Sequence, residues 1–206
     1  MDVKKVINEI TGKTFEVLKK LYDNQKEGHD YIQGNNGSRL IFPHYSTIYR
    51  NGETRISEQE LRFVFIEQFN VYCEKEKLDL YYSVETPTEY KYSFTDKTDP
   101  HKDDKRGQSA MVDLCIHDSD FKRIALIEFK ALNPDKFCYD KDFCKLTAEK
   151  QGDSNLVTFF IMIVKNSDSA TTESIYTKSE KKGETVLRCF NLENGIEITE
   201  DIEKYK

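Results

Sequence analysis

The sequence predicts an α/β domain in which a mixed central β-sheet is flanked by helices. Segments with helical periodicity alternate with strand-like segments along the chain. Two of the strand-like segments are separated only by a short polar turn, which predicts an antiparallel hairpin. Residues 155–164 form an apolar run of β-branched and aromatic residues, which is typical of a central strand covered on both faces.

The N-terminal part of the chain is predicted to be mainly helical. Apolar residues recur at helical spacing over residues 3–26, whereas residues 27–45 are rich in Gly and Asn and are predicted to form a loop. A second helix is predicted at residues 55–77, where Ser57 and Glu60 form a capping box. Its predicted core stripe consists of Leu61, Val64, Phe65 and Phe69.

Most of the predicted strands lie in the second part of the chain. Residues 78–87 are predicted to be a strand that ends at Pro87, followed by a long polar loop over residues 88–109. The hairpin strands are predicted at residues 110–118 and 123–132. The further elements are a helix at 140–152, the apolar strand at 155–164, an exposed helix at 169–183 and a strand at 184–193.

Length and composition predict one cytoplasmic domain. Residues 1–206 contain no internal repeat, so we expect an N-terminal helical extension over residues 1–50 and a core over about residues 57–192. No apolar run is long enough to span a bilayer, which predicts a protein without membrane contact. The five Cys and four His lack the close spacing of disulfide frameworks or zinc ligands. The net charge of −6 argues against a sequence-independent nucleic-acid binder.

Three charged residues of the predicted hairpin share one face. Glu128 and Lys130 are two residues apart on one strand, and the hairpin turn brings Asp113 back beside them. For Glu128 and Lys130 alone, an ion pair or a solvated strand edge is the simplest explanation. Two neighbouring carboxylates repel each other, however, and Mg²⁺ offsets such repulsion by taking oxygen ligands. Beside a metal-bound water, Lys130 would stabilise the charge that develops on a phosphate.

A third carboxylate on the second helix would complete the shell of the cation. Glu60 is the first candidate because it lies in the first helical turn, and Glu67, two turns further on, is the second. A purely structural role for Glu60 in the capping box is an equal alternative.

An Asp on one strand followed by Glu-x-Lys on the next resembles the PD-(D/E)XK nuclease superfamily. The resemblance covers about residues 57–164 and includes a helix with a Glu before the hairpin and a helix and an apolar strand after it. The residue before Asp113 is Val112 rather than the proline of the motif's name. The resemblance implies a restriction-endonuclease-like αβββαβ core, here with an extra N-terminal helix.

The resemblance also implies roles for individual residues. Asp113 and Glu128 would be metal ligands, and Lys130 would be the catalytic lysine. The carbonyl of Phe129 and the carboxylate of Glu60 would be further ligands. The implied cofactor is Mg²⁺, with Mn²⁺ as a substitute. The implied partner is nucleic acid, above all DNA, and a homodimer or a partner subunit is left open.

Other polar residues near this constellation have simpler explanations. Glu85 would flank the metal or merely end a strand in solvent, and His117 is more readily a turn residue than a ligand. Gln108 would reach nucleic acid or water near the site, or simply face solvent. A basic group in the long loop would hold a phosphate backbone or remain solvated; it comprises Lys102, Lys105 and Arg106.

The sequence therefore predicts a metal-dependent nuclease, a hydrolase of phosphodiester bonds with DNA as its expected substrate. The alternative is a nucleic-acid-binding or regulatory module that keeps the fold without cutting. A third interpretation is a structural protein in which the charges form an ion-pair network. The joint presence of Asp113, Glu128 and Lys130 favours the nuclease, because a protein that does not cut has no chemical need for all three.

Overall fold

A computed structural model describes residues 1–26, 38–94 and 100–205 and has the predicted α/β architecture. In this part of the chain, seven strands form one mixed, open sheet with helices on both faces. The strands are β1 Tyr81–Ser93, β2 His101–Lys102, β3 Gln108–His117, β4 Arg123–Ala131, β5 Val157–Val164, β6 Val186–Asn191 and β7 Ile196–Glu197. The helices are α1 Val3–Lys26, α2 Thr47–Arg50, α3 Glu58–Glu76, α4 Lys136–Gly152, α5 Ser169–Lys178 and α6 Thr199–Glu203.

The sheet has the strand order β2-β1-β3-β4-β5-β6-β7. β3 and β4 form the predicted antiparallel hairpin, with Leu114 opposite Ile127. β5 lies parallel to β4 on its other side, and β6 lies parallel to β5. The predicted hairpin and its apolar neighbour strand are therefore confirmed.

Each face of the sheet carries its own hydrophobic core. On one face, α1 and α3 pack against the sheet, and Phe15 of α1 stacks on Phe190 of β6 at 4.8 Å between ring centroids. On the other face, Phe143 of α4 lies 4.6 Å from the ring of Phe160 on β5. The adjacent Phe159 belongs to the first core, so β5 is covered on both faces, as its apolar run predicts.

The two long helices predicted near the N-terminus are confirmed. α1 is continuous, and the buried hydroxyl groups of Thr11 and Thr14 donate to backbone carbonyls one turn earlier, so they are satisfied within the helix. α3 begins at the predicted capping box, where the backbone N–H of Ser57 donates to Glu60 at 2.7 Å. The box fixes the position at which the helix begins, and the buried residues Leu61, Val64, Phe65 and Phe69 form the face that packs on the sheet.

Strand β1 is longer than the sequence predicts. It passes through Pro87, which was expected to end it, and continues to Ser93 within the loop predicted over residues 88–109. Proline is compatible with this position because β2 pairs with β1 only at Tyr92 and Ser93, which leaves Pro87 on an edge. The pairing of β1 with β3 also shifts register between Pro87 and Lys91.

Four short elements are not predicted from the sequence, namely α2, β2, β7 and α6. Each is between two and five residues long, which is too short for a periodic pattern to develop. Parts of the two predicted loops, residues 27–37 and 95–99, lie outside the described residues. Among the helices that the structure describes, none is both long and apolar enough to cross a membrane.

Candidate functional site

The two predicted carboxylates of the hairpin occupy adjacent positions in the sheet. The paired ladder of β3 and β4 ends at Leu114 and Ile127, and Asp113 and Glu128 are the next residues beyond that pair on the two strands. Beyond the ladder, Oδ2 of Asp113 accepts a hydrogen bond from the Phe129 N–H at 2.8 Å. The hairpin geometry thus fixes one oxygen of Asp113.

Glu128 is almost completely buried, with 2% of its surface exposed. Its Oε1 accepts a hydrogen bond from the Lys145 ammonium of α4, and among the described residues no hydrogen bond reaches Oε2. Burial, followed by the charge of Asp142, raises the pKa of Glu128 well above its usual range, although Lys145 acts in the opposite direction. Glu128 therefore has one anchored oxygen and one uncommitted oxygen.

Asp113 shows the same division between its two oxygens. Oδ2 is held by the backbone of Phe129, whereas Oδ1 lies 4.0 Å from the nearest guanidinium nitrogen of Arg62, beyond hydrogen-bond distance. Arg62 makes its close ion pair with Glu85 instead, at 2.5 Å. Two neighbouring carboxylates thus each offer one oxygen, and oxygen ligands are what Mg²⁺ prefers.

Lys130 is held between acidic residues of two helices. Its Nζ lies 2.9 Å from Asp142 of α4 and 3.4 Å from Glu58 of α3, and it donates to the Phe129 carbonyl at 3.1 Å. Burial acts to lower the pKa of Lys130, but the charges of three nearby carboxylates, with Asp142 foremost, outweigh burial and raise that pKa. The ammonium therefore remains charged at neutral pH, with its position fixed.

Helix α4 contributes two site residues that the sequence prediction does not include. Asp142 and Lys145 are three residues apart and lie on the same face of the helix, with 2.9 Å between Asp142 Oδ1 and Lys145 Nζ. Burial acts to raise the pKa of Asp142, but the charges of Lys145 and Lys130 hold it below its usual value. The available signal was an Asp-x-x-Lys pair on the buried face of a helix, where unpaired charges are rarely found.

Glu60 does not join this cluster. Its carboxylate accepts the Ser57 N–H at 2.7 Å and lies 3.4 Å from Arg55, so it serves the helix cap. Glu60 was expected to lie beside Asp113 and Glu128, but it has the alternative role of completing the capping box of α3. The acidic residue of α3 that contacts the cluster is Glu58, through Lys130. The second candidate, Glu67, makes no hydrogen bond or ion pair with the cluster either.

The remaining residues of the prediction fall outside the cluster or at its border. Glu85 lies inside β1 rather than at its end, adopts a φ of 47° and pairs with Arg62. His117 is hydrogen-bonded to Ser83 Oγ at 2.8 Å and to the Phe121 carbonyl at 3.1 Å, so it holds the end of the hairpin, as expected for a turn residue. The other polar residues of the prediction lie in or near β2 and are exposed, namely Lys102, Lys105, Arg106 and Gln108.

Negative charge is in excess around the hairpin carboxylates. Five carboxylates face three cations; the carboxylates are Glu58, Glu85, Asp113, Glu128 and Asp142, and the cations are Arg62, Lys130 and Lys145. In the described part of the chain, no three His, Cys, Asp or Glu side chains are close enough to hold a metal ion by themselves. Mg²⁺ is usually held by only one or two carboxylates, with waters and substrate phosphates as its other ligands. The Asp113–Glu128 pair fits that requirement.

No protein-family model, curated protein or solved structure matches this chain. The chemistry of the cluster is therefore the guide to function. The cluster combines two carboxylates suited to a hard cation with one fixed ammonium, and this combination is suited to activating water and stabilising charge on a phosphate.

Proposed function

We propose that the protein is a metal-dependent nuclease of the restriction-endonuclease-like fold and that it acts on DNA. The observation that carries this proposal is the pairing of Asp113 and Glu128 on adjacent strands, each with one uncommitted oxygen, beside the fixed ammonium of Lys130. The element order α3-β1-β3-β4-α4-β5, with β5 parallel to β4, is compatible with the αβββαβ core that the PD-(D/E)XK resemblance implies.

In this mechanism each hairpin residue has one task. Asp113 and Glu128 would hold Mg²⁺, or Mn²⁺ in its place; the resemblance implies the Phe129 carbonyl as a further ligand, and this carbonyl accepts a hydrogen bond from Lys130. A bound cation would act as a Lewis acid and lower the pKa of a coordinated water. Lys130 orients the attacking water and stabilises the charge that develops on the scissile phosphate, and its acidic neighbours on α3 and α4 keep its head group in place.

The net charge limits how the protein meets its substrate. A charge of −6 provides little general attraction to a phosphate backbone. We therefore expect recognition of a particular nucleic-acid structure, or recognition assisted by a homodimer or a partner subunit.

A nucleic-acid-binding or regulatory module that does not cut is the second candidate. The observation that favours it is the bond from Lys145 to Glu128, because an ammonium already neutralises a carboxylate that the cation needs. Such a module would have no requirement for a metal ion in its activity.

Incubation of the purified protein with single- and double-stranded DNA and RNA, in Mg²⁺, Mn²⁺ or EDTA, tests the proposal. We expect cleavage of DNA with either metal ion and none in EDTA. Lys130→Ala should abolish cleavage and keep Mn²⁺ binding, because it removes transition-state stabilisation but no carboxylate ligand. Asp113→Asn should lose both cleavage and Mn²⁺ binding, because an amide oxygen carries no full charge to hold the cation. Asp120→Asn, which alters an exposed carboxylate in the turn of the same hairpin, is the control and should behave as the wild type.

The outcomes separate the two candidates. A wild type that binds nucleic acid equally in Mg²⁺ and in EDTA, and cleaves nothing, supports the module and contradicts the nuclease. Thermal melting of each variant identifies any loss of cleavage that results from unfolding.

A further inference from the structure

Lys145 is a buried cation at the centre of the cluster. Only 4% of its side chain is exposed. Its ammonium contacts Glu128 Oε1, lies 2.9 Å from Asp142 Oδ1 and donates to the Met111 carbonyl at 2.9 Å. An ammonium has three N–H donors, and these three acceptors use all of them. The Lys145 ammonium is therefore held by groups of the fold, and its charge stays beside Glu128.

The two lysines of the site occupy most of the carboxylate oxygens on the α4 side. Lys145 holds one oxygen of Glu128 and one of Asp142, and Lys130 lies 2.9 Å from the other oxygen of Asp142. On the two hairpin carboxylates, the oxygens that remain are Oε2 of Glu128 and Oδ1 of Asp113. A two-metal site needs ligands for two cations about 3.5–4 Å apart. A fixed ammonium at Glu128 both removes ligands from a second cation and repels it.

We infer that Lys145 takes the place of a second metal ion, so that the site binds one divalent cation per chain. This inference rests on the proposed nuclease function and adds to it the number of metal ions and the residue that limits that number. Lys145 is a positioning residue, since it acts through Glu128 and Asp142.

Calorimetric titration of the full chain with Mn²⁺, in the absence of nucleic acid, tests the inference. The wild type should bind one Mn²⁺ per chain. Lys145→Met preserves the length of the side chain and removes its charge. This variant should bind a second Mn²⁺ per chain and bind the first at least about tenfold more tightly, because a buried repulsion is removed and two carboxylate oxygens are freed. Lys145→Arg keeps the charge and should stay near the wild-type affinity.

A matched control comes from the same helix. Lys136 lies at the start of the same helix, before Asp142 and Lys145; it is 47% exposed and pairs with Asp140 at 3.5 Å. Lys136→Met removes the same charge from an exposed position and should leave both stoichiometry and affinity unchanged.

Two results would overturn the inference while leaving the nuclease proposal intact. One is a wild type that binds two Mn²⁺ per chain, and the other is a folded Lys145→Met that binds Mn²⁺ no more tightly than the wild type. If neither protein binds Mn²⁺, the proposed metal-dependent function fails and the inference fails with it. If Lys145→Met does not fold, the stoichiometry of the wild type decides the question.

Discussion

Asp142→Asn should strongly destabilise the protein, because Asp142 is the counter-charge of both site lysines. Asp142 is 4% exposed and lies 2.9 Å from Lys130 and 2.9 Å from Lys145. Removing one partner of a buried charge pair costs about 3–5 kcal/mol. In a chain of this size each kcal/mol shifts the melting temperature by about 2–4 °C, so the melting temperature should fall by about 6–20 °C.

The neighbouring Asp140 provides a matched control for this substitution. It lies on the same helix and is similarly buried, at 5% exposed. Its two lysines, Lys136 at 3.5 Å and Lys181 at 3.4 Å, are both 47% exposed, however. Solvent screens such pairs, whose contribution to the free energy of unfolding is about 0–1 kcal/mol. Asp140→Asn should therefore change stability by about 1 kcal/mol or less.

The effect of Asp142→Asn should also depend on pH. The pKa of Asp142 is held below its ordinary value of 3.8, so its stabilising contribution is present above that pH and disappears as the pH falls through the lowered folded-state pKa. Urea unfolding, followed by circular dichroism at pH 7 and near pH 3, measures the loss of stability and its dependence on pH. Equal losses of stability for Asp142→Asn and Asp140→Asn at pH 7 would refute the reasoning.

Two further predictions concern the thiols and the first turn of α3. Burial raises the pKa of Cys73 to about 11 and that of Cys115 to about 12. A thiol reagent at pH 8 should therefore react in the native protein only at the two half-buried thiols, Cys138 and Cys144. In urea it should react at all five thiols. Rapid reaction of a third thiol in the native protein would contradict this prediction. Because the ordinary thiol value is 9.0, the stability measured by urea unfolding should also fall as the pH rises above 9 toward 12. In α3, Glu60→Gln should lower the free energy of unfolding by about 1 kcal/mol and leave cleavage unchanged, because Glu60 serves the helix cap. Glu58→Gln should slow cleavage and keep the cap, because Glu58 contacts Lys130. Slower cleavage by Glu60→Gln than by Glu58→Gln would contradict these two roles.

The hairpin part of the site could be predicted from the sequence because short-range rules determine it. A short polar turn between two strands fixes their register, and side chains alternate with a period of two. These two rules are sufficient to place Asp113 near Glu128, with Lys130 two residues further on the same face of β4. Helices α1 and α3 are predictable for the same reason, since the helical period and the capping box are local signals.

The helical part of the site could not be predicted, because it depends on how each helix docks on the sheet. Glu58 and Glu60 both lie in the first turn of α3 but are about 200° apart around the helix axis, so only the docked structure shows which one faces Lys130. Asp142 and Lys145 likewise become partners of the hairpin only when α4 packs on its face of the sheet. The extension of β1 through Pro87 depends on an edge position that no local pattern reveals.

A structural ion-pair network and a metal site differ in how completely they satisfy their own charges. An ion-pair network whose only role is stability should have balanced charges, because buried carboxylates without partners lower the stability of the fold. Here burial together with Asp142 raises the pKa of Glu128 despite the adjacent Lys145. Each of the two hairpin carboxylates also keeps one oxygen without a hydrogen bond, Oε2 of Glu128 and Oδ1 of Asp113. Because a divalent cation at this pair would take both oxygens as ligands, these two oxygens favour the metal site over the network.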